Sequence, residues 1–84
     1  MLTAHRNLLR QGALPEYQAM LLVDRPFAVR AESGAIIEGR AFGYKNTMPI
    51  IEIGDRKYGG MTWLEVAAAV ECGAVAEIAR LRRR

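Results

Sequence analysis

An α+β domain is what these 84 residues predict: a helical N-terminal segment over 1–24, a small, strongly bent antiparallel sheet over 26–58, and a C-terminal amphipathic helix over 62–84. Three observations carry that expectation. Between Pro26 and Ile53 apolar and polar residues alternate around glycine and turn positions, which is the period of half-buried strands. From Thr62 a capping sequence opens an alanine-rich stretch with helical spacing. Composition adds that 51% hydrophobic and 25% charged residues suit one small folded unit, so the whole chain, 1–84, reads as a single domain.

In the N-terminal segment Thr3 can cap a helical stretch carrying Leu8 and Leu9, and Gly12 suits its left-handed end. Pro15 fits a new first turn, after which Tyr17, Met20 and Leu21 fall on one helical face. The run Ala19 to Val23 before Asp24-Arg25-Pro26 fits a strand leading into a turn as well. Pro26 pushes Arg25 toward extended backbone and starts a strand with Phe27, Val29 and Ala31 on one face. Glu32-Ser33-Gly34 reads as a hairpin turn.

The second strand, Ala35 to Phe42, sets Ile37, Gly39 and Ala41 against Ile36, Glu38, Arg40 and Phe42. A glycine inside a strand weakens it unless the strand bends or something approaches closely, so Gly39 predicts curvature. "MPIIEI" forms the third strand, with Pro49 marking an edge or a strand start, and Gly54-Asp55 turns the chain toward "RKYGG". Three antiparallel strands with a glycine-bent middle one are the skeleton of a small β-barrel. Closure by further strands and capping by a helix both fit. Thr62 with Glu65 three residues on is a capping box that opens the last helix, and Gly73 interrupts it at a cost of about 1 kcal/mol relative to alanine. "VAAAVECGAVAEIARL" therefore also admits a loose helix-turn-helix, although "AVAEIARL" holds few base-reading side chains.

The stretch "RPFAVRAESGAIIEGRAFGYKNTMPII", Arg25 to Ile51, resembles the first Sm motif of the Sm-like proteins, the group that includes archaeal Sm rings and bacterial Hfq. Pro26, Val29, Gly34, Ile37, Gly39, Tyr44 and Met48 stand at the family's spacings. The resemblance covers about a third of the chain and implies a partial SH3/Sm-like barrel. Where the family places its uridine-pocket aspartate and asparagine, this chain has Lys45 and Pro49, and the second Sm motif is absent. The scaffold is implied; the family's nucleotide pocket is not.

The formal charge is +3, but four of the twelve basic residues are Arg80, Arg82, Arg83 and Arg84, which leaves eight basic against nine acidic residues before them. The basicity is a C-terminal tail on a neutral body. Arginines bind phosphates through paired guanidinium N–H groups; the plainer reading is that they solubilise the chain and complement a helix end. Reaction chemistry is not indicated. His5 has no sequence-level partner, Cys72 reads as a small buried hydrophobe, and Ser33 is a turn residue. One histidine with one cysteine does not make a metal site, and the glycines around "DRKY" fit no phosphate loop. No cofactor and no metal are expected.

A non-enzymatic binding module follows. In the first form, Arg30, Arg40, Lys45, Arg56 and Lys57 on the curved sheet, with Phe42 and Tyr44 as stacking faces and Arg80, Arg82, Arg83 and Arg84 as an arm, contact single-stranded RNA or DNA, alone or in a nucleoprotein complex. Core packing is the plainer role for both aromatics. In the second, the chain is a protein-protein interaction module or inhibitor of phage or mobile-element type, anchored by exposed Trp63, Phe42 and Ile36. A lone cysteine gives the small core no staple, and the edge of "MPIIEI" can recruit a copy, so a homo-oligomer is expected. No apolar run reaches the roughly 20 residues that span a bilayer, and "MLTAHRNLLRQG" lacks a signal-peptide core. The expected location is cytoplasmic, away from membranes.

Overall fold

Strand alternation explains the first hairpin. β1 (Pro26–Arg30) buries Phe27 and Val29 on one face, and β2 (Ile36–Phe42) pairs with it antiparallel, Phe27 opposite Gly39 and Val29 opposite Ile37. A computed structural model of the protein describes residues 21–43 and 47–84. The turn between the strands is closed by the Gly34 amide donating to the Ala31 carbonyl at 2.9 Å, with Gly34 at a φ of 91° that favours glycine. Gly39 has no room for a side chain. A Cβ there would lie 2.9 Å from Val29 Cγ2 and 3.2 Å from Phe27 Cε1, because both buried side chains fold across it as the sheet curls. Gly39→Ala is therefore expected to lower stability by about 1–3 kcal/mol, as overpacking does. An exposed strand glycine would give the opposite sign, so a raised urea midpoint would show that the crowding is relieved cheaply.

β3 (Ile50–Ile53) pairs with β2, and β4 (Arg56–Gly59) pairs with β3 across the Gly54-Asp55 turn. The turn falls at Gly54-Asp55 as expected, and "RKYG" beyond it is a fourth strand where only three were expected, held by Tyr58, which is buried opposite Ile51. β3 consequently lies between two partners. Pro49 marks its beginning, and the free edge expected in "MPIIEI" does not exist, so that route to self-pairing is closed.

The helix expected over 62–84 is the largest correction. α1 runs only from Trp63 to Cys72, and the capping box is formed: the Thr62 hydroxyl accepts from the Glu65 amide while Glu65 Oε1 accepts from the Thr62 amide at 2.9 Å. Gly73 stops it with left-handed backbone (φ 74°), and the Ala74 amide turns back to the Ala68 carbonyl at 3.1 Å. Beyond it Ala76–Glu77 form β5, Ile78–Arg80 a single 3-10 turn, and Arg82–Arg83 form β6. No second helix follows, so the helix-turn-helix reading falls as well. Cys72, expected to be buried, is exposed at the end of α1.

These last residues join both margins of the sheet. β5 lies parallel on β1 and β6 antiparallel on β4, giving one six-stranded sheet in the order β5-β1-β2-β3-β4-β6. Helical propensity of the alanines yields here to the open backbone groups on β1 and β4, which need partners. The described residues are therefore mostly strand, curled into a half-barrel with one helix, rather than a three-stranded sheet between two helices. Of the helical segment expected over 1–24, residues 1–20 lie outside the described residues, and residues 21–24 end in a turn before β1. Leu22, Val29, Ala41, Ile51, Tyr58, Trp63 and Val66 form the core between the concave face and α1. Among the described residues no helix is long and apolar enough to cross a membrane.

Candidate nucleic-acid interface

Strand pairing sorts the expected contact residues by face and by partner. On the convex face, Arg30 stands beside Glu77 of β5 and donates to it at 2.9 Å. Arg40 Nε donates to Glu38 Oε2 at 3.0 Å, and its Nη1 donates to the Asp24 carbonyl at 2.9 Å and to Oδ1 at 3.2 Å. The hydrogen bond to Glu38 and then that to Asp24 push the Arg40 pKa above its usual value. Both arginines are thus matched by carboxylates, and their charge is spent inside the molecule. Asp24 holds its position with a φ of 63° and an amide that donates to Ala41 at 2.9 Å.

The remaining cations converge at the other margin. Tyr58 pairs with Arg83 and Gly59 with Arg82, and the Arg84 amide donates to the Lys57 carbonyl at 2.9 Å. Since residues opposite each other share a face, Lys57, Arg82 and Arg84 stand together on the convex side while Arg83 shares the side of Tyr58. Arg56 begins the same β4 strand. None of these five forms an ion pair with another described residue. Of the arginines expected as the tail of a C-terminal helix, Arg82 and Arg83 are instead in a strand, and Arg84 follows it. Arg80, exposed in the 3-10 turn, adjoins them.

Gly59, one of the glycines around "DRKY" that fit no phosphate loop, lies at the centre of this group. An added Cβ would meet only the Arg84 side chain, at 3.6 Å, so a side chain fits there, with Arg82 opposite and Lys57 two residues before. Continuing the β3–β4 register sets Ile50 opposite Gly59, and Ile50 pairs with Phe42. Phe42, Ile50, Gly59 and Arg82 therefore form one transverse row, apolar at one end and cationic at the other. A parallel row runs Arg40, Glu52, Lys57, Arg84. The alternation of Arg82 and Arg84 was the available signal for this face, but only for a reader who knew that the segment was a strand.

Trp63 is not an exposed anchor. It is 8% exposed, and its Nε1 donates to the Thr47 carbonyl at 2.6 Å, fastening the β2–β3 connection to α1. Ile36 is exposed at 57%, with Phe42 half-buried beside Ile50. Tyr44 and Lys45 lie outside the described residues, as does His5. Pro49, just before β3, is buried. Among the described residues no group of three His, Cys, Asp or Glu side chains could hold a metal. Between α1 and β5 a cleft of about 160 Å³ is lined by alanines and Val75 together with Glu65, Glu77 and Arg80. That is below the roughly 300 Å³ at which small-molecule pockets begin.

The class defined by fold and surface is a small curled β half-barrel with one cationic edge. No protein-family model, no characterised protein and no solved structure matches the chain.

Proposed function

We propose that the protein is a non-enzymatic binding module that holds single-stranded nucleic acid by its phosphates along the β4–β6 edge. The observation that carries this reading is the gathering of Lys57, Arg82 and Arg84 on one face around Gly59, flanked by Arg56 and Arg83, with no ion pair to any of them among the described residues and with Glu52 the one carboxylate opposite them in register, at Lys57. Arg82 in β6 and Arg84, one residue beyond its end and still bonded to β4, are two residues apart, a spacing of about 7 Å along which an extended polynucleotide can lay successive phosphates. Inward from them, Ile50 and Phe42 offer apolar surface for a base. The Sm-like resemblance supplies a scaffold of this kind without the family's pocket, since Pro49 is buried. Contacts of this type favour charge over sequence and depend on salt.

Fluorescence anisotropy with an unstructured oligonucleotide at low salt tests the reading. Micromolar binding is expected, weakening steeply as salt rises. Gly59→Glu sets a carboxylate amid the three cations at a place where a side chain fits, and should lower affinity at least about tenfold without moving the unfolding midpoint. No binding at low salt, or a Gly59→Glu variant that binds like the parent, ends the proposal.

A further inference from the structure

The cations that make this edge also repel one another. β6 is two residues long and both are exposed, so it buries little and is held by its ladder on β4 and by the bond from Arg84 to Lys57. Leu81, the residue before it, is the nearest one packed on the core. Docking brings Arg82, Arg83 and Arg84 alongside Arg56 and Lys57, with Arg84 opposite Lys57, and like charges facing each other across strands destabilise pairing. The acidic groups nearby offset this only in part, through Glu52 opposite Lys57. Glu52 is opposite Lys57 on one side and Arg40 on the other, Asp55 sits in the turn before Arg56, and Glu77 is engaged by Arg30.

We infer that β6 is a ligand-closed clasp: phosphates bound across Lys57, Arg82 and Arg84 turn repulsion between β4 and β6 into attraction and lock the last strand onto the sheet. This rests on the reading of the edge as a phosphate site. A ligand that contacts both strands binds only the docked state, and linkage requires that it stabilise docking to the extent that it prefers that state. The clasp also predicts an opposite response to simple salt. Screening weakens ligand binding, yet it relieves the repulsion and so favours docking in the free protein.

Amide hydrogen exchange on the full chain reads the clasp at Arg84, whose N–H is bonded to Lys57, with the Ile51 amide of β3 as internal reference. Protection at Arg84 relative to Ile51 should rise with potassium chloride in the free protein, and at least tenfold at low salt with saturating oligothymidylate or inorganic tripolyphosphate. Unchanged Arg84 protection while anisotropy shows the oligonucleotide bound overturns the clasp and leaves the functional reading standing. Absent oligonucleotide binding with protection by tripolyphosphate overturns the nucleic-acid reading and keeps the clasp. Protection that does not rise with salt shows that no repulsion was there to screen, and overturns it as well.

Discussion

Trp63→Ala is expected to lower stability by about 3–5 kcal/mol, enough to unfold much of the population of so small a domain. Trp63 opens α1 directly after the Thr62 cap and is buried to 8% exposure in the cluster that includes Leu22, Val29, Ile51 and Val66. Alanine removes the indole from that core, and a strand-and-helix frame of this size cannot collapse to fill the space. It also removes the donor to Thr47, whose residue is exposed, so water can take over that carbonyl and the bond itself is the smaller part of the loss. Trp63→Phe separates the two contributions: it keeps most of the ring and should lose much less. Urea unfolding followed by circular dichroism gives both numbers. An alanine variant with the parent midpoint would mean that the indole is not a core residue. For the same reason Trp63 is a poor probe of protein docking, and Ile36, exposed on β2, is the residue with which to test that alternative.

Elements whose local chemistry agrees with their tertiary role were legible. Phe27 and Val29 alternate and are buried, Gly34 takes the positive φ that its turn requires, and Thr62 with Glu65 closes its capping box as spaced. The close approach that a glycine inside a strand implies is present at Gly39, made by the Phe27 and Val29 side chains. What failed depends on partners distant in the chain. "RKYG" has one apolar residue, Tyr58, and becomes a strand because β3 offers it a ladder. β5 and β6 are two residues each, too short for any periodicity, and exist because the margins of β1 and β4 lie within reach of one segment. An alanine-rich stretch has no local reason to leave the helix except Gly73.

The candidate surface follows the same division. The Glu38–Arg40 pair lies two residues apart on one strand face and could be read from alternation. Glu77, which takes up Arg30, could not, because β5 was not foreseen. Counting basic residues therefore grouped arginines that have a carboxylate partner, Arg30 and Arg40, with cations that have none. Pairing across strands is what removes Arg30 and Arg40 from the set and draws Lys57 to Arg82 and Arg84.

The variant in which Lys57, Arg82 and Arg84 all become glutamine is accordingly expected to lose most of the binding while keeping the fold. All three side chains are on the convex face and exposed, and the ladder between β4 and β6 uses only backbone groups, so uncharged side chains should leave the unfolding midpoint unchanged or slightly higher. For single strands the slope of log affinity against log salt falls by about 0.7 for each phosphate contact removed. Three lost contacts reduce the slope by about 2, and at 50 mM salt this corresponds to a fall in affinity of roughly 10²–10³. Arg30→Gln serves as the matched control, because that guanidinium is already paired with Glu77 and should change affinity less than about threefold. Anisotropy titrations of parent, triple variant and control at several salt concentrations give slopes and intercepts together. A triple variant with the parental slope, or an Arg30→Gln variant that loses as much, would move the phosphate path off the β4–β6 edge and back across the sheet.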